Sequence, residues 1–521
     1  MLNLIDDRWL PVARRSGATD TLRPSDLTNG YADDPITALA FPRPDWNAAV
    51  TELLVGLHAV AMPVAGPKQW LALWDEPPAP EVVAEAMAPF VPAFALMGEG
   101  ARCFQDADTL ADAKPVPIQQ LLIDAPGGNT AKLNQDLFTR RRGEGYALAW
   151  GHAAAALVTL QTYAPSGGAG HRTSMRGGGP LTTLVRPRRE GAGDAPVPLY
   201  NVVLANAPRG VPAPAPDDPS AFPWLASART SRKGEPPVTP EDAHPLQAFF
   251  ATPRRLRLMG GEGGATAFRT VPYGANYEGW AHPLSPYYDD KGTWRPLHPR
   301  EGVPTFRDWP GLWGAGDDKR AAACVSAFGA ITARADDVRG GMVAMGYDMD
   351  NMKARAWMEA RPPLVLDDAV RARADCMVRA AGEAAGALRL AAKRALYGQL
   401  RQKDGGAELY LPDTVPKRAC TDLAGELELT TEPVLRGMIE SLRGAGDEAA
   451  DALAFAWHTE LRGTTLRLFD RTVGIRSLGA DELFRVVRAR GALGAAFGVK
   501  GSVSKTLQVT ERLRARRKKA A

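Results

Sequence analysis

The sequence has 521 residues, which is too long for one hydrophobic core of ordinary size and predicts two or more domains. Its composition, 45% hydrophobic and 23% charged, is that of a soluble globular protein and excludes a chain dominated by polar low-complexity sequence. The net charge of +4 is small and does not by itself indicate the type of partner.

The cysteines and the N-terminus bear on the compartment. The four cysteines form no CxxC pair, which argues against a zinc ribbon or a disulfide framework and fits a reducing cytoplasm. The chain begins MLNLIDDRWLPV, with acids where a signal peptide has a basic start and an apolar core. No apolar run is long enough to span a bilayer, so we expect a cytoplasmic protein without a membrane partner.

Both strands and helices are predicted in the first half of the chain. The segment LNLIDDRWLPV alternates apolar and polar residues, which is typical of a strand that opens a hairpin, with its turn near Ser16 and Gly17. A helix is predicted over 45–62, with Asp45 as its N-cap. A second helix, over 147–163, is followed by two predicted strands, LTTLVRP and LYNVVLAN.

The texture of the sequence changes twice further along. Residues 208–245 contain ten prolines among charged residues and are predicted to form a long, partly disordered excursion. From about Asp367, Ala, Leu and Arg recur at helical spacing. Further helices are predicted at 432–444, 446–462, 479–492 and 501–518, a pattern of four or five antiparallel helices. The predicted fold class is α+β, with a large irregular mixed α/β domain over 1–366 and a C-terminal four-helix bundle over 367–521.

The segment YAPSGGAGHRTSMRGGGPLTT, residues 163–183, has six glycines, two arginines, one histidine and no acid. Glycine lets a backbone approach a partner closely, and the basic neighbours favour an anionic partner. The segment lacks the GxxxxGK[ST] pattern of a P-loop and the strand–GxGxxG–helix order of a dinucleotide site. Two interpretations stay open: a flexible connection, or backbone laid into the narrow minor groove of DNA.

A DxD pair, Asp348 and Asp350, lies in the segment GYDMDNMKARAWMEARP. Such a pair ligates a metal in some enzymes, and Asp336 and Asp337 are the only obvious further ligands. No HxH, HExxH or GxSxG motif is present, and no cysteine lies in a catalytic signature. The residues therefore favour a protein without an enzymatic centre of a familiar type.

The same segment permits two other interpretations. Met352 is an apolar side chain between the amide of Asn351 and the cation of Lys353, a combination that suits insertion into a base step. Alternatively, Asn351 caps the start of a helix and Met352 is packed in the core.

Basic residues are concentrated in two regions. Residues 132–189 hold nine Lys or Arg against two acids, and residues 505–519 hold seven against one, Glu511. Such clusters are footprints of phosphate binding, although a solvated basic face is the commoner explanation for any one of them.

Four segments in one order carry a resemblance to a known family. They are NLIDDRWLPV at 3–12, YAPSGGAGHRTSMRGGGPLTTLV at 163–185, WAHPLSP at 280–286 and GYDMDNMKARAW at 346–357. In order and spacing they resemble the CasA family, the large subunit of the type I-E CRISPR Cascade complex. The resemblance covers essentially the whole chain.

The resemblance implies a non-catalytic DNA-binding subunit that recognises the protospacer-adjacent motif (PAM) of double-stranded DNA, largely from the minor groove. It further implies that the chain promotes duplex opening and R-loop formation and recruits the Cas helicase-nuclease. The implied partners are other Cascade subunits and the CRISPR RNA, and no metal or other cofactor is expected. Two alternatives remain: a stand-alone metal-dependent enzyme that uses Asp348 and Asp350, and a purely structural scaffold.

The resemblance also implies site residues. Those that would contact the PAM are Ser166, Gly167, Gly168, Ala169, Arg269, Asn351, Met352 and Lys353. The first four match the family's glycine loop, Met352 stands where the family has a wedge residue, and Arg269 is the candidate for its minor-groove lysine. Gln135 and Phe138 lie in a loop that is expected to contact the guide RNA and a neighbouring subunit.

Overall fold

The chain forms two compact units. The computed structural model describes residues 2–125, 146–168, 170–193, 195–299, 305–350, 352–403, 406–474 and 479–520. The N-terminal unit comprises Met1–Glu301 and Arg320–Arg361, and the C-terminal unit comprises Gly302–Lys319 and Pro362–Ala521. Residues 302–319, which the sequence analysis assigned to the first domain, thus belong to the second unit. Phe306 explains this placement, because its ring packs edge-on against Trp457 at a centroid distance of 6.2 Å.

Short strands and helices alternate irregularly before a series of long helices. The strands are β1 (Leu10–Arg14), β2 (Thr19–Leu22), β3 (Ile36–Leu39), β4 (Val116–Pro117), β5 (Thr182–Arg189), β6 (Arg255–Gly261), β7 (Gly264–Val271), β8 (Tyr287–Asp290), β9 (Thr293–Pro296), β10 (Lys319–Arg320), β11 (Val338–Asp350), β12 (Lys353–Ala360), β13 (Gln399–Lys403) and β14 (Gly406–Tyr410). The helices are α1 (Pro44–Ala61), α2 (Pro67–Asp75), α3 (Pro80–Met87), α4 (Trp150–Tyr163), α5 (Leu199–Asn206), α6 (Trp309–Trp313), α7 (Ala323–Thr332), α8 (Asp368–Tyr397), α9 (Asp422–Leu442), α10 (Asp447–Val473), α11 (Ala480–Ala496), α12 (Ser502–Thr506) and α13 (Thr510–Ala520).

Helices α1 and α4 form the centre of the N-terminal unit. They pack against each other, and the four alanines at 153–156 of α4 are fully buried, which allows a close approach of the two helices. The helix predicted over 45–62 is confirmed as α1, but Asp45 is not its N-cap. Pro44 occupies the first turn with its fixed φ, so the helix begins one residue earlier, after Arg43.

The predicted N-terminal hairpin is confirmed, since β1 pairs antiparallel with β2 across a turn that contains Gly17. The strand predicted in LTTLVRP is confirmed as β5, which pairs with the long central strand β11. The strand predicted in LYNVVLAN is wrong, because this segment is helix α5. All eight of its residues are buried, and an apolar run without a polar face does not distinguish a strand from a helix.

The proline-rich segment 208–245 contributes to the hydrophobic core, so the predicted disordered excursion is wrong for part of it. Phe222 and Trp224 are fully buried. Trp224 donates from Nε1 to the carbonyl oxygen of Ala93 at 2.6 Å, and Phe222 packs edge-on against Phe94 at a centroid distance of 5.3 Å. Two aromatic side chains therefore anchor a backbone that proline keeps out of long helices and strands.

The C-terminal unit is a helical bundle in which α8 packs against α9, α10 and α11. The buried face of α8 is rich in alanine, and Trp457 on α10 donates from Nε1 to the carbonyl oxygen of Met377 on α8 at 2.9 Å. The predicted α+β fold with a C-terminal helical region is confirmed. One helix predicted over 501–518 is instead divided into α12 and α13, and Gln508 between them has a φ of 56°. None of the described helices is both long enough and apolar enough to cross a bilayer.

Candidate nucleic-acid interface

The glycine loop, residues 164–181, connects α4 to β5 and contains a tight turn. The backbone N–H of His171 donates to the carbonyl oxygen of Gly168 at 2.8 Å. Gly168 and Gly170 have φ values of 64° and 84°, the left-handed region in which glycine carries no steric penalty. Ser166 and Gly167, which precede this turn, are exposed. The sequence therefore places glycine where the backbone must reverse and exposes that backbone to solvent.

The ends of the glycine loop are held by a buried polar cluster. Glu52 on α1 accepts hydrogen bonds from the Tyr163 hydroxyl at 2.7 Å and the Thr182 hydroxyl at 2.6 Å. Arg176 Nη2 lies 2.8 Å from Glu52 Oε2, and both side chains are nearly inaccessible to solvent. Arg176 Nη1 also donates to Ser285 Oγ at 3.0 Å. This cluster fixes where the loop leaves and re-enters the core.

This cluster corrects the expectation that both arginines of the loop face an anionic partner. The Arg176 guanidinium is used inside the protein, and Arg172 donates from Nε to Ser231 Oγ at 2.7 Å. Burial, together with the nearby Glu52 charge, raises the pKa of the Tyr163 phenol, which therefore stays protonated and able to donate. Sequence alone does not separate a buried structural arginine from one that binds a ligand.

The second segment forms a hairpin rather than a helix start. β11 pairs antiparallel with β12, and the register runs to Asp350 opposite Lys353, so Met352 lies in the turn between the two strands. The side chain of Met352 in this turn is 54% exposed, and Lys353 is exposed as well. The interpretation of Met352 as a packed core residue is therefore wrong.

The structure brings the hairpin turn and the glycine loop together. A Cβ placed on Gly168 would lie 3.8 Å from Met352 Sδ, which is ordinary van der Waals contact. Further along the loop, a Cβ on Gly179 would lie 2.7 Å from Tyr347 Cβ and 2.9 Å from Met349 Cγ, so only glycine fits against the strand. Bare backbone and an exposed thioether thus share one surface, which we call the loop–hairpin surface (166–168 and 352–353).

An aromatic layer supports this surface from below. The rings of Tyr347 and Trp357 on the hairpin lie 5.0 Å apart, and Trp357 packs edge-on against Tyr163 at 5.4 Å. The Tyr347 hydroxyl donates to Asp45 Oδ2 at 2.6 Å, and Arg43 Nη2 lies 3.0 Å from the same oxygen. The hairpin and the end of α4 therefore share a rigid base.

The DxD pair does not form a metal centre in the described part of the chain. Asp348 is buried, and its Oδ1 lies 2.6 Å from Arg355 Nη2. The Asp348 carboxylate is therefore already paired with the Arg355 guanidinium. Asp337 is paired with Arg189 at 2.6 Å. Among the described residues, no group of three His, Cys, Asp or Glu side chains is arranged to hold a metal ion.

Not every predicted site residue can be placed on this surface. Arg269 lies on β7 opposite Arg257 and is partly buried. Its assignment as a minor-groove residue stays a prediction. Four predicted site residues lie outside the described residues: Gln135, Phe138, Ala169 and Asn351.

Two residues beside the loop were missed by the sequence analysis. Arg254 donates to the carbonyl oxygen of Pro165, and burial lowers the pKa of its guanidinium to about 10. Tyr273 is 41% exposed with a φ of 63°, and its backbone N–H donates to the carbonyl oxygen of Gly170 at 2.9 Å. The only signal for Tyr273 was an aromatic residue in the turn sequence PYG, which is common in proteins without functional meaning.

These features define an α+β protein with a C-terminal helical bundle and a composite surface of bare backbone and an exposed methionine. The family model of CRISPR-associated protein Cse1 matches residues 3–468. The chain therefore belongs to the Cse1 family, and the resemblance to CasA that the sequence motifs indicated is confirmed.

Solved structures share this fold at low sequence identity. CasA from Thermus thermophilus matches with a TM-score of 0.70 and 18% identity over 95% of this chain and 98% of that chain. Cse1 from Thermobifida fusca matches with a TM-score of 0.69 and 20% identity over 98% of each chain. A chain in a structure described as a CRISPR RNA-guided surveillance complex matches with a TM-score of 0.63 and 16% identity over 95% of this chain and 99% of that chain.

Proposed function

We propose that this chain is the non-catalytic large subunit of a CRISPR RNA-guided surveillance complex of the type I-E Cascade class. In that role it recognises the PAM in double-stranded DNA, promotes duplex opening and R-loop formation, and recruits the Cas helicase-nuclease. Its partners are the other Cascade subunits, the CRISPR RNA and the target DNA, in the cytoplasm. Membership of the Cse1 family and the shared fold with a chain of a surveillance complex support this role.

The observation that carries the proposal is the proximity of Met352 to Gly168, since Met352 Sδ would lie 3.8 Å from a Cβ added at Gly168. A minor groove is narrow and admits bare backbone better than bulky side chains, and the exposed turn at Gly167 offers such backbone. An apolar side chain that enters a base step must be exposed beforehand, and Met352 is. Because the two features are adjacent, a groove-reading backbone and a wedge act on neighbouring base pairs.

The charged side chain of this surface is suited to positioning the DNA backbone rather than to reading the base sequence. Lys353 is exposed beside Met352 and is placed to contact a phosphate as the wedge enters. Arg254 and Tyr273 support the loop from the other side, so they hold the backbone in its exposed conformation. The predicted roles of Gln135 and Phe138 toward the guide RNA stand on the family resemblance alone.

The proposal is tested by measuring target binding of the reconstituted complex on a set of duplexes that differ only in the PAM. Gly168→Leu should abolish discrimination between PAM variants, since its side chain fills the space between the loop and the groove. Gly191→Leu is the matched control, because Gly191 also has a positive φ, 77°, but no atom lies within 4 Å of a Cβ there. Both variants carry the same backbone strain, roughly 1–2 kcal/mol.

Comparison of the two variants distinguishes the effect of backbone strain from a loss of PAM recognition. We expect the Gly191→Leu complex to retain wild-type PAM discrimination and the Gly168→Leu complex to bind all duplexes alike. Wild-type discrimination by a folded Gly168→Leu complex would contradict the proposal. Unchanged DNA affinity in every variant of the surface would instead support a purely structural scaffold, and metal-dependent turnover by the purified chain would support an enzyme.

A further inference from the structure

A cavity of about 350 Å³ opens in the C-terminal unit between α10, α11 and α13. Its principal lining residues are Phe455, His458, Arg462, Phe497, Leu513 and Arg516. Small-molecule sites occupy roughly 300–1,000 Å³ and combine apolar walls with a few polar groups, so this cavity is of adequate size and composition. Its lining residues belong to the C-terminal unit, whereas the loop–hairpin surface is formed by residues of the N-terminal unit.

One wall of the cavity is aromatic and uncharged. The rings of Phe455 and His458 are nearly parallel, at an interplanar angle of 17° with centroids 6.2 Å apart, and Phe497 meets His458 edge-on at 5.6 Å. His458 Nε2 lies 3.2 Å from the carbonyl oxygen of Phe497 and 3.0 Å from Ser504 Oγ. Burial lowers the pKa of the His458 imidazole, so the ring stays neutral near pH 7.

The mouth of the cavity is cationic. Arg462 and Arg516 line it and are exposed, no carboxylate is among its lining residues, and neither arginine forms an ion pair within the described part of the chain. Helix α13 carries six Lys or Arg and one acid, Glu511, whose carboxylate is already bound by Arg514. Of the basic C-terminal segment noted in the sequence, Leu513 and Arg516 line this cavity.

We propose that this cavity binds a nucleotide, with its base against the Phe455 and Phe497 wall and its phosphate at Arg462 and Arg516. Aromatic side chains stack on the face of any base, and guanidinium groups bind phosphate oxygens in a forked geometry. A purely acidic peptide would satisfy the arginines but would leave the aromatic wall without a partner. The inference does not depend on the proposed PAM recognition, which uses residues of the N-terminal unit.

The same chemistry has two sources, a free nucleotide or a nucleotide within a single strand. The full-length chain is therefore titrated, at constant salt, with AMP, with a fluorescent ten-residue oligo-dT and with an abasic oligonucleotide of the same length. Tight binding of AMP that competes with the oligonucleotide assigns the free nucleotide. Binding of oligo-dT without AMP binding assigns a base within a strand.

Three variants make the test specific. The pair Arg462→Gln and Arg516→Gln removes the contact with one phosphate and should lower the slope of log K against log salt by about 0.7, the value for one phosphate neutralised in a single strand. Phe455→Leu keeps an apolar side chain but removes the ring, and should weaken oligo-dT binding about tenfold without affecting the abasic strand. Arg418→Gln removes the same charge from an exposed site of the C-terminal unit that does not line the cavity.

We expect the Arg418→Gln chain to bind like the wild type and the cavity variants to bind weakly, with unchanged thermal unfolding. Equal loss of affinity in Arg418→Gln and the arginine pair would overturn the proposal, because it would reveal a diffuse basic surface. Equal binding of oligo-dT and the abasic strand would overturn it as well, and so would equally tight binding of a polyglutamate peptide. None of these outcomes bears on PAM discrimination, which is measured with the complete complex.

Discussion

The two halves of the glycine loop differ in whether their polar groups are buried or exposed. At the Arg176 end, a guanidinium is bound by Glu52 inside the core, and at the Gly168 end bare backbone faces solvent beside Met352. The buried half costs desolvation but fixes the geometry, whereas the exposed half contributes little to folding and is available to a partner. Position in the fold, and not residue type, therefore determines which basic and glycine residues are accessible to a ligand.

The largest expected effect comes from the buried half. Arg176→Met leaves the Glu52 carboxylate buried without its cation, which should cost about 3–5 kcal/mol of the free energy of unfolding. The variant is compared with Arg172→Met in a denaturant titration. Arg172 bonds to neutral Ser231 and is half-buried, so its removal should cost about 1 kcal/mol. Equal losses in the two variants would remove the distinction between the halves of the loop.

The core around α1 should respond to acid. His58 on α1 is buried, its Nε2 has no hydrogen-bond partner among the described residues, and burial lowers its pKa to about 4 from an unfolded value of 6.5. The unfolded chain then binds a proton at His58 that the folded chain does not. The contribution of neutral His58 to the free energy of unfolding is therefore fully present above pH 6.5 and is lost as the pH falls toward 4. At 1.36 kcal/mol per pKa unit, the loss is about 3 kcal/mol.

This acid response is measured as the free energy of unfolding from pH 7 to pH 4 in the wild type and in His58→Leu. His58→Leu should lack the part of the pH dependence that comes from His58 and keep the part that comes from other titratable groups. An identical pH profile in both proteins would show that His58 is protonated in the folded chain.

The exposed half should affect DNA opening and not stability. Met352→Ala is expected to leave the free energy of unfolding within about 0.5 kcal/mol of the wild type, because the side chain is exposed. R-loop formation on a closed duplex should slow about tenfold, since unstacking a base step costs a few kcal/mol and the wedge offsets part of it. A bubble next to the PAM should restore the rate.

Met352→Leu keeps the apolar bulk and is the matched control, with near-wild-type rates on both duplexes. A Met352→Ala complex that melts normally but is not rescued by the bubble would rule out the wedge.

The smallest expected effect is that of Lys353→Gln. Removing one phosphate contact should lower the salt slope of DNA binding by about 1 and weaken all PAM variants alike. A bubble next to the PAM should not rescue this variant, since the lost phosphate contact affects the initial encounter with DNA and not the opening of the duplex. Lys114→Gln removes the same charge from another exposed position of the N-terminal unit and should leave the slope unchanged. A change of PAM preference in Lys353→Gln would assign the side chain to base reading instead.

Sequence patterns predicted the elements whose side chains alternate or repeat. Strand β1 of the N-terminal hairpin and bundle helix α8 have distinct buried and exposed faces, and both were found. Helix α1 is buried along most of its length and was found because its apolar run is too long for a strand. Helix α5 was missed because it is buried on every side, and the aromatic anchors of 208–245 were hidden among prolines. Local patterns fail where the surroundings, and not the residue order, determine the conformation.

The candidate site was predictable only in parts. Family motifs selected Gly168 and Met352 separately, but their contact depends on how β11, β12 and the loop after α4 pack, which no local pattern encodes. The structural role of Arg176 was not predictable, because its partner Glu52 lies far away in the sequence, on α1. Tyr273 and Arg254 belong to no motif and became visible only through their contacts with the loop.

The most direct test of the central claim is a double-mutant cycle on the loop–hairpin surface. Gly168→Ala, Met352→Ala and the double variant are compared by the rate of PAM-dependent R-loop formation, beside a control cycle in which Gly191→Ala replaces Gly168→Ala. If backbone and wedge form one site, the first cycle should show a coupling energy above about 0.5 kcal/mol and the control cycle should be additive. Additive effects of Gly168→Ala and Met352→Ala would contradict the account.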